Sequence, residues 1–357
     1  MWPLIYIYIF VFSFGLSVIL TMSMIGIARR FNILDRPEGR KVHSVSTPLL
    51  GGLAIFLAFN LTIIINLSLL FLFKTSRLFP HELGQYLSGI NSTKMQLFTI
   101  LFVGFLVMMI GLVDDLKKLS PFYKLILEIC LALVLYFAGI KITLFIRNEI
   151  VSAVLTVGWI VGITNAFNLL DNIDGLSCGV AAIAGVIFFI IAAGGGQYFV
   201  SCITIAFTAI MLGFLVFNFP PAKIFMGDAG SLYLGYILGV LTIIETFYTR
   251  HLPTTLPVIM PLLILAVPLF DTISVLYIRI KNHRPVYTGD RNHFSHRLLR
   301  LGMNTKQTVL FIYLLTFLLG IGAILLKGLT VLPSLILLIQ SIGIIFIIVI
   351  LENIKTK

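Results

Sequence analysis

The stretch of sequence that decides the fold lies at residues 150–167 and reads IVSAVLTVGWIVGITNAF. It contains no aspartate, glutamate, lysine or arginine, and it has about the length that a helix needs to cross the hydrocarbon core of a bilayer. Directly after it the chain becomes polar, with Asn168, Asp171 and Asp174. The stretch therefore predicts a membrane helix that ends at an aqueous surface.

The composition extends this prediction to the whole chain. Of its 357 residues, 59% are hydrophobic and 11% are charged, with a mean hydropathy of +1.09, whereas soluble chains are about 25% charged. Large extramembrane domains are excluded, so residues 1–357 form one integral membrane domain. The net charge of +11 points to membrane lipids and orientation, and we expect no nucleic acid as a partner.

Apolar runs like the first recur along the chain. We identify eleven, at about residues 3–27, 50–73, 97–113, 122–139, 150–167, 176–193, 198–217, 231–245, 254–278, 308–326 and 330–351. Eighteen of the 25 lysines and arginines fall on alternate connections, which predicts an outer amino terminus and a cytoplasmic carboxyl terminus. The expected fold class is all-α, a polytopic protein of the cell membrane with about eleven transmembrane helices. Its cytoplasmic loops lie at about 28–49, 114–121, 168–175, 218–230 and 279–307.

All aspartates fall in or beside these cytoplasmic loops, at positions 35, 114, 115, 171, 174, 228, 271 and 290. The positive-inside rule says little about acids, so their gathering on one face needs another cause. A cation site on that face is the simplest one.

Asp114 and Asp115 close the third run, where two adjacent carboxylates repel each other. One interpretation is a solvated helix end that Lys117 and Lys118 balance. We favour a general base or a phosphate-handling acid, because a helix carboxyl end prefers cations. Lys124 opens the fourth run, where it suits a phosphate site at a helix N-terminus or a side chain that reaches the head groups.

Asn165, Asn168 and Asn172 recur at helical spacing and form one polar stripe, with Asp171 and Asp174 beside it. Polar side chains at the end of an apolar helix need partners, so the stripe predicts a hydrophilic cleft. No lysine or arginine lies in this stretch. The neutralising charge must come from a metal ion or from a distant basic segment.

Asp228 lies in the sequence FMGDAGS, residues 225–231, at the start of the eighth run. Asp228 or Ser231 would serve as a helix N-cap. Alternatively, the glycines let the backbone approach a ligand, and Mg²⁺ is typically held by one or two protein oxygens together with substrate phosphates. Asp228, paired with Asn168 or with the acids near Asp171, matches that pattern.

The longest cytoplasmic loop, residues 279–306, carries seven lysines and arginines and contains the sequence GDRNHFSHR at 289–297. His293 and His296 lack a Cys or Glu at zinc-ligand spacing, so we discount a zinc site. With Arg297 they suit the clamping of a pyrophosphate. Attraction to anionic lipid explains the charge of the loop but not the order of its histidines.

Five motifs together resemble the polyprenyl-phosphate N-acetylhexosamine-1-phosphate transferases over nearly the whole chain. They lie at residues 40–52, 111–115, 165–176, 225–231 and 289–297. The resemblance implies that a UDP-N-acetylhexosamine gives its sugar 1-phosphate to a polyprenyl phosphate, such as undecaprenyl phosphate, with release of UMP. It also implies a site on the cytoplasmic face and Mg²⁺ as cofactor, with Mn²⁺ as a substitute.

The resemblance assigns roles position by position. The metal ligands would be Asn168 and Asp228, and the catalytic acids would be Asp114, Asp115, Asp171 and Asp174. The substrate-binding residues would be His43, Lys124, Asn172, His293, His296 and Arg297. Direct attack by the carrier phosphate is favoured over a covalent aspartyl intermediate, and a homodimer is kept as a hypothesis for the assembly.

The histidine loop bears on the donor, because Phe294 and Ser295 separate His293 from His296. The branch with a muramoyl-peptide donor has three successive histidines there, so the pattern resembles the UDP-GlcNAc branch that initiates cell-envelope polysaccharides. Transfer from UDP-MurNAc-pentapeptide in peptidoglycan synthesis is the alternative. A transporter or flippase is an alternative of another class, but it predicts ionisable residues near the midplane of the bilayer, and the apolar runs hold few.

Overall fold

The computed structural model describes residues 1–35, 46–73, 81–143, 146–249, 251–285 and 292–353. The helices before the middle of the chain are α1 (Trp2–Arg30), α2 (Gly51–Phe73), α3 (His81–Lys117), α4 (Pro121–Phe137), α5 (Glu149–Leu170) and α6 (Leu176–Gly194). They are followed by α7 (Tyr198–Asn218), α8 (Gly227–Ile244), a 3-10 helix (Leu256–Ile259), α9 (Met260–Ile264), α10 (Ala266–Lys281), α11 (Phe294–Arg300), α12 (Thr305–Leu326) and α13 (Val331–Asn353). Two short antiparallel strands, β1 (Leu34–Asp35) and β2 (Thr47–Pro48), complete the described elements. The predicted all-α class is confirmed, since 79% of the structure is helical.

The length and composition of these helices are those of a polytopic membrane protein. Within the described residues, nine helices are long and apolar enough to cross a bilayer, and a bent pair of helices would make a tenth. Helix α4 has 17 residues, somewhat fewer than the usual 20 of a membrane helix. The exact number of eleven spans stays a prediction.

The ninth apolar run, which we predicted as one span over residues 254–278, is broken in the structure. It forms two pieces, Leu256–Ile264 and Ala266–Lys281, which meet at an angle of 70°. The break lies at Leu265, three residues before Pro268. Proline has no N–H to donate to the preceding turn, so the helix is interrupted where that hydrogen bond is missing.

Helix α8 lies at the centre of the bundle and packs against α2, α3 and α5. About 78% of its membrane-length segment is buried, compared with 22% for α1 and 17% for α13 at the periphery. The approach of α2 is very close, because a Cβ atom on Gly52 would lie 2.2 Å from the backbone nitrogen of Gly230. Only a residue without a side chain permits this contact.

One end of the bundle gathers the predicted functional motifs, and we call it the site end. Helices α3, α5 and α7 end there, and α2, α4, α6 and α8 begin there. The backbone N–H groups of Gly51 and Gly52 donate to the carbonyls of Phe225 and Met226, at 3.0 and 2.9 Å. These hydrogen bonds join the start of α2 to the start of α8, so two of the sequence motifs meet.

Candidate active site

Lys124 is the centre of the polar cluster at the site end. Its Nζ lies 2.9 Å from Asp114 Oδ2, 2.8 Å from Asp228 Oδ2 and 3.3 Å from Asn168 Oδ1. The side chain is buried although it lies in the first turn of α4. Lys124 therefore points into the bundle and not towards lipid head groups, and it supplies the positive charge that the asparagine stripe lacks.

Asp114, Asn168 and Asp228 come from three different helices, and hydrogen bonds hold each of them in place. Asp114 Oδ1 accepts from the backbone N–H of Leu119 at 2.7 Å. Asn168 Nδ2 donates to Asp228 Oδ1 and to Ser231 Oγ, both at 2.9 Å. The ends of α3, α5 and α8 are thus bonded into one polar site around the lysine.

Asp115 has a different environment from its neighbour Asp114. Its two carboxylate oxygens accept from the backbone N–H groups of Asp228 and Ala229, at 2.8 and 3.1 Å. Asp115 therefore caps the N-terminus of α8 from another helix. The alternative that Asp228 or Ser231 is the N-cap is wrong, because Met226 occupies that position and neither side chain caps the helix.

Gly227 makes the contact between Asp115 and α8 possible. Its φ angle is +65°, a conformation that glycine adopts without strain. A Cβ atom at this position would lie 2.5 Å from Asp115 Oδ2. Position 227 thus requires glycine because of its backbone conformation and because of the space that Asp115 occupies.

The connection between α5 and α6 carries three more predicted residues. Asp174 Oδ2 accepts from the backbone N–H of Ala222 at 2.9 Å, which holds the α7–α8 connection beside it. The Asp171 carboxylate makes no hydrogen bond to any part of the chain that the structure describes. Burial, together with the charges of Asp228, Asp115 and Asp174, raises the pKa of Asp171 well above its usual range.

The described part of the predicted histidine loop, residues 292–297, lies against the α5–α6 connection, and we call it the histidine segment. Ser295 Oγ donates to Asn172 Oδ1, and Asn172 Nδ2 donates to the carbonyl of Leu169 at 2.9 Å. His293 is buried, with Nδ1 2.9 Å from Asp271 Oδ2. The ring of His296 is 6.4 Å from that of His293. The segment is therefore held by both α10 and the α5–α6 connection.

The structure brings most of the predicted site residues to the site end. Asp114, Lys124, Asn168 and Asp228 share hydrogen bonds. Arg297 is oriented by hydrogen bonds to Asn292 O at 2.6 Å and Ser274 Oγ at 2.9 Å. The predicted substrate-binding residue His43 lies outside the described residues.

The contacts of Asp271 with the start of α11 were not predicted from the sequence. The signal was present, since Asp271 is the single charged residue in the run 254–278. Its partners, His293 and the N–H of Phe294, are supplied by a segment more than 20 positions away. Ser231 and Ser295 were missed for the same reason, because each contributes through a contact between helices.

The oxygen atoms around Lys124 are of the kind that a hard cation prefers. Asp114, Asp228 and Asn168 each present an oxygen within 3.3 Å of Nζ, and carboxylate and amide oxygens suit Mg²⁺. Among the described residues, no group of three or more His, Cys, Asp or Glu side chains could hold a metal ion. The set fits an ion that takes two or three protein oxygens and completes its shell with substrate and water.

Comparison with known proteins gives matches that span this site. Residues 97–246 match the model of Glycosyl transferase family 4, a range that includes Asp114, Lys124, Asn168 and Asp228. The chain is 35% identical over 327 residues to the "Probable undecaprenyl-phosphate N-acetylglucosaminyl 1-phosphate transferase" of Bacillus subtilis (strain 168). The match covers 89% of this chain and 84% of the relative.

Two other relatives differ in the donor that their names state. The "Decaprenyl-phosphate N-acetylglucosaminephosphotransferase" of Mycolicibacterium smegmatis is 29% identical over 324 residues, which cover 83% of this chain and 76% of the relative. The "Phospho-N-acetylmuramoyl-pentapeptide-transferase" of Oceanobacillus iheyensis is 34% identical over 253 residues, which cover 64% of this chain and 72% of the relative. The match to the muramoyl enzyme is thus the shorter of the two.

Proposed function

Because this chain belongs to Glycosyl transferase family 4, we propose that it transfers GlcNAc 1-phosphate from UDP-GlcNAc to undecaprenyl phosphate, with release of UMP. The product would initiate a cell-envelope polysaccharide. The observation that carries the proposal is the position of Lys124 Nζ, within 3.3 Å of oxygens on Asp114, Asn168 and Asp228. Two phosphorylated substrates repel each other, and a buried lysine among ordered oxygens is a site that can bind them together with a cation.

The proposal includes an orientation in the cell membrane. Eleven spans, an outer amino terminus and a cytoplasmic carboxyl terminus would put the site end on the cytoplasmic face. The distribution of lysine and arginine supports this orientation, because 18 of the 25 lie in connections on that side. Membrane lipids would surround the bundle, and a homodimer remains the proposed assembly.

We assign the carrier phosphate to Lys124 and Asp114. The ammonium group of Lys124 can bind phosphate oxygens, and Asp114 accepts two hydrogen bonds, as an ionised carboxylate does. Asp114 is therefore placed to accept a proton from the carrier phosphate. Asp115 supports this arrangement through α8, since its carboxylate fixes the backbone of Asp228.

In the transfer itself, a carrier phosphate oxygen attacks the β-phosphorus of the donor. A new phosphorus–oxygen bond forms, and the bond from the β-phosphorus to the bridging oxygen breaks, so that UMP departs. The chain contributes by holding two reactants in line and by offsetting negative charge. Direct attack would be contradicted by isolation of a sugar-phosphorylated enzyme in the absence of the carrier.

We propose Mg²⁺ as the cofactor, with Mn²⁺ as a substitute, held by Asp228 and Asn168. When bound, the ion would withdraw charge from phosphate oxygens and make the phosphorus easier to attack. Asn168 keeps Asp228 in position through its Nδ2, and Ser231 orients Asn168 in turn. These contacts hold the ligand oxygens before the ion arrives.

The donor would bind between the α5–α6 connection and α11. Asp171 and Asp174 would face the nucleotide side, and Asn172, His293, His296 and Arg297 would contact the diphosphate and the sugar. Ser295 joins α11 to Asn172, so the two sides of the proposed donor site are in direct contact. A muramoyl-pentapeptide donor is the second candidate, since relatives with that name match 64% of this chain.

The test is a donor panel with the purified full-length protein in detergent. We expect UDP-GlcNAc, undecaprenyl phosphate and Mg²⁺ to give UMP and a lipid-linked sugar in equal amounts, and EDTA to stop the reaction. UDP-GalNAc, UDP-glucose and UDP-MurNAc-pentapeptide serve as matched donors. Preferential turnover of the muramoyl donor would contradict the proposed specificity, and no UMP release from any donor would contradict the reaction.

A further inference from the structure

Helix α10 carries a fully buried carboxylate that the proposed reaction does not use. Asp271 is 1% exposed, and both of its oxygens are engaged by the histidine segment. Oδ1 accepts from the backbone N–H of Phe294 at 2.6 Å, and Oδ2 lies 2.9 Å from Nδ1 of His293. One side chain thus contacts two successive residues at the start of α11.

The contact between Asp271 and His293 suits one tautomer of the imidazole. An ionised carboxylate only accepts hydrogen bonds, and Oδ1 already accepts from the N–H of Phe294, so the arrangement at Oδ2 suits a neutral ring that donates from Nδ1. Nε2 is then the nitrogen that faces away from Asp271, and it carries a lone pair.

The other contacts of α11 fix its position relative to the donor site. Ser295 Oγ donates to Asn172 Oδ1, and Arg297 donates to Ser274 Oγ of α10 at 2.9 Å. The ring of Phe294 packs edge-on against Phe270 of α10, with centroids 5.6 Å apart. Among these contacts, Asp271 is the carboxylate, and it acts directly on the imidazole of His293.

We propose that Asp271 is a positioning residue, which holds His293 in the Nδ1–H form so that the lone pair of Nε2 can accept a hydrogen bond from a hydroxyl or amide N–H of the donor's sugar. The inference rests on the proposed function for the identity of the donor. Carboxylates orient histidines in this way in metal sites, where their loss typically costs about 10- to 100-fold, and we expect a loss of the same order for His293. Asp271 itself would touch neither substrate.

The sharpest variant is Asp271→Asn. The amide oxygen can still accept from Phe294 N–H, but the amide nitrogen then faces Nδ1 of His293 and donates to it. The proton of His293 must move to Nε2, while the packing is preserved. Ring ¹⁵N NMR of histidine-labelled protein reads this directly, with the signal of His293 identified among six histidines by its absence in His293→Gln.

We expect Nδ1–H in the wild type and Nε2–H in Asp271→Asn. We also expect kcat/KM for the donor to fall about 10- to 100-fold, with an unchanged KM for undecaprenyl phosphate. Thr272→Val is the matched control, because the Thr272 hydroxyl donates only to Pro268 O within α10. It should remain within twofold of the wild type.

A double variant distinguishes positioning from a general structural effect. If Asp271 acts through His293, Asp271→Asn with His293→Gln should be no slower than His293→Gln alone. Losses that multiply, or an unchanged tautomer in Asp271→Asn, would overturn the proposal. If Asp271→Asn does not fold, Asp271→Glu replaces it. That variant keeps a carboxylate, so we expect His293 to retain Nδ1–H. Loss of that proton in Asp271→Glu would also overturn the proposal.

The two readouts also separate this proposal from the proposed function. The NMR measurement needs no substrate, so it decides the tautomer whichever donor the enzyme uses. A wild-type protein that does not turn over UDP-GlcNAc contradicts the proposed function alone. Retained Nδ1–H in Asp271→Asn, with full turnover, contradicts the positioning role alone.

Discussion

The two ends of helix α8 each carry an acidic side chain, and their surroundings are opposite. Asp228, in the first turn, is hydrogen-bonded to Lys124 and Asn168. Glu245, which follows the last turn, is buried, and neither of its oxygens has a hydrogen-bond partner in the described part of the chain. Position on the same helix therefore does not give the two acids the same chemistry.

The physical difference lies in the partners. Burial raises the pKa of Glu245 to about 9, and the charge of Lys327 opposes that shift only in part. A carboxylate at a helix C-terminus is also disfavoured by the helix dipole, whereas one at the N-terminus is favoured. Glu245 is thus neutral at pH 7, whereas a cation and a hydrogen-bond donor converge on Asp228.

The largest expected effect is on Asp228, at the N-terminal end of α8. Asp228→Ala removes a proposed metal ligand and the partner of Lys124, so we expect UMP release to fall by roughly a thousandfold or more. Expression and the gel-filtration profile should remain those of the wild type. Ser231→Ala, one turn away, serves as the milder control, and full turnover in Asp228→Ala would remove the metal assignment.

Lys124→Met should reduce turnover by about a hundredfold, since one charge that offsets the phosphates is lost. Asp114 and Asp228 would then lack their internal cation, so we expect Mn²⁺ to bind more tightly, measured by EPR titration without substrate. Lys117→Met, on the exposed end of α3, is the matched control. Weaker Mn²⁺ binding in Lys124→Met would contradict our view that the lysine and the ion share the same oxygens.

Gly52→Ala tests how far the site depends on close packing of α2 against α8. The added Cβ would lie 2.2 Å from Gly230 N and 2.6 Å from Gly230 Cα, which are backbone atoms that cannot rotate away. We expect a loss of about 1–3 kcal/mol in stability, with a lower Tm and reduced turnover. Gly158→Ala is the control, because nothing lies within 4 Å of a Cβ there.

The smallest effect is expected at the other end, from Glu245→Gln. The pKa of Glu245 is raised to about 9 in the folded protein, so the unfolded chain loses this proton at a lower pH than the folded one. Glu245 therefore lowers the free energy of unfolding as the pH rises from its unfolded pKa towards 9, and it has no such effect below about pH 4. The variant should gain roughly 2–4 °C in Tm at pH 8 and nothing at pH 4, with wild-type turnover. A loss of activity as large as that expected for Asp228→Ala would contradict our view that Glu245 takes no part in the site.

Much of this arrangement was predictable from the sequence. The apolar runs indicated the class of fold. The stripe of asparagines with Asp171 indicated a need for positive charge from elsewhere, and Lys124 lies beside Asn168 and Asp228; the hydrophilic cleft itself stays a prediction. The family resemblance is confirmed by the comparisons. These features repeat within one helix, so they can be read from spacing alone.

What could not be predicted are the contacts between helices. Asp114 and Asp115 are neighbours in sequence, yet one faces Lys124 and the other caps α8 across 113 positions. The link between Asp271 and His293 is of the same kind. The bend at Leu265 was also missed, although three prolines marked the run, because membrane helices often tolerate proline.

The shortness of α4 has a consequence for the lipid substrate. At 1.5 Å per residue, its 17 residues extend about 26 Å, whereas a bilayer core is about 30 Å thick. Such hydrophobic mismatch is relieved by local thinning of the bilayer around the short helix. The lipid carrier would then approach Lys124 where the bilayer is locally thinned, and the carrier's phosphate would lie at the same depth as the lysine.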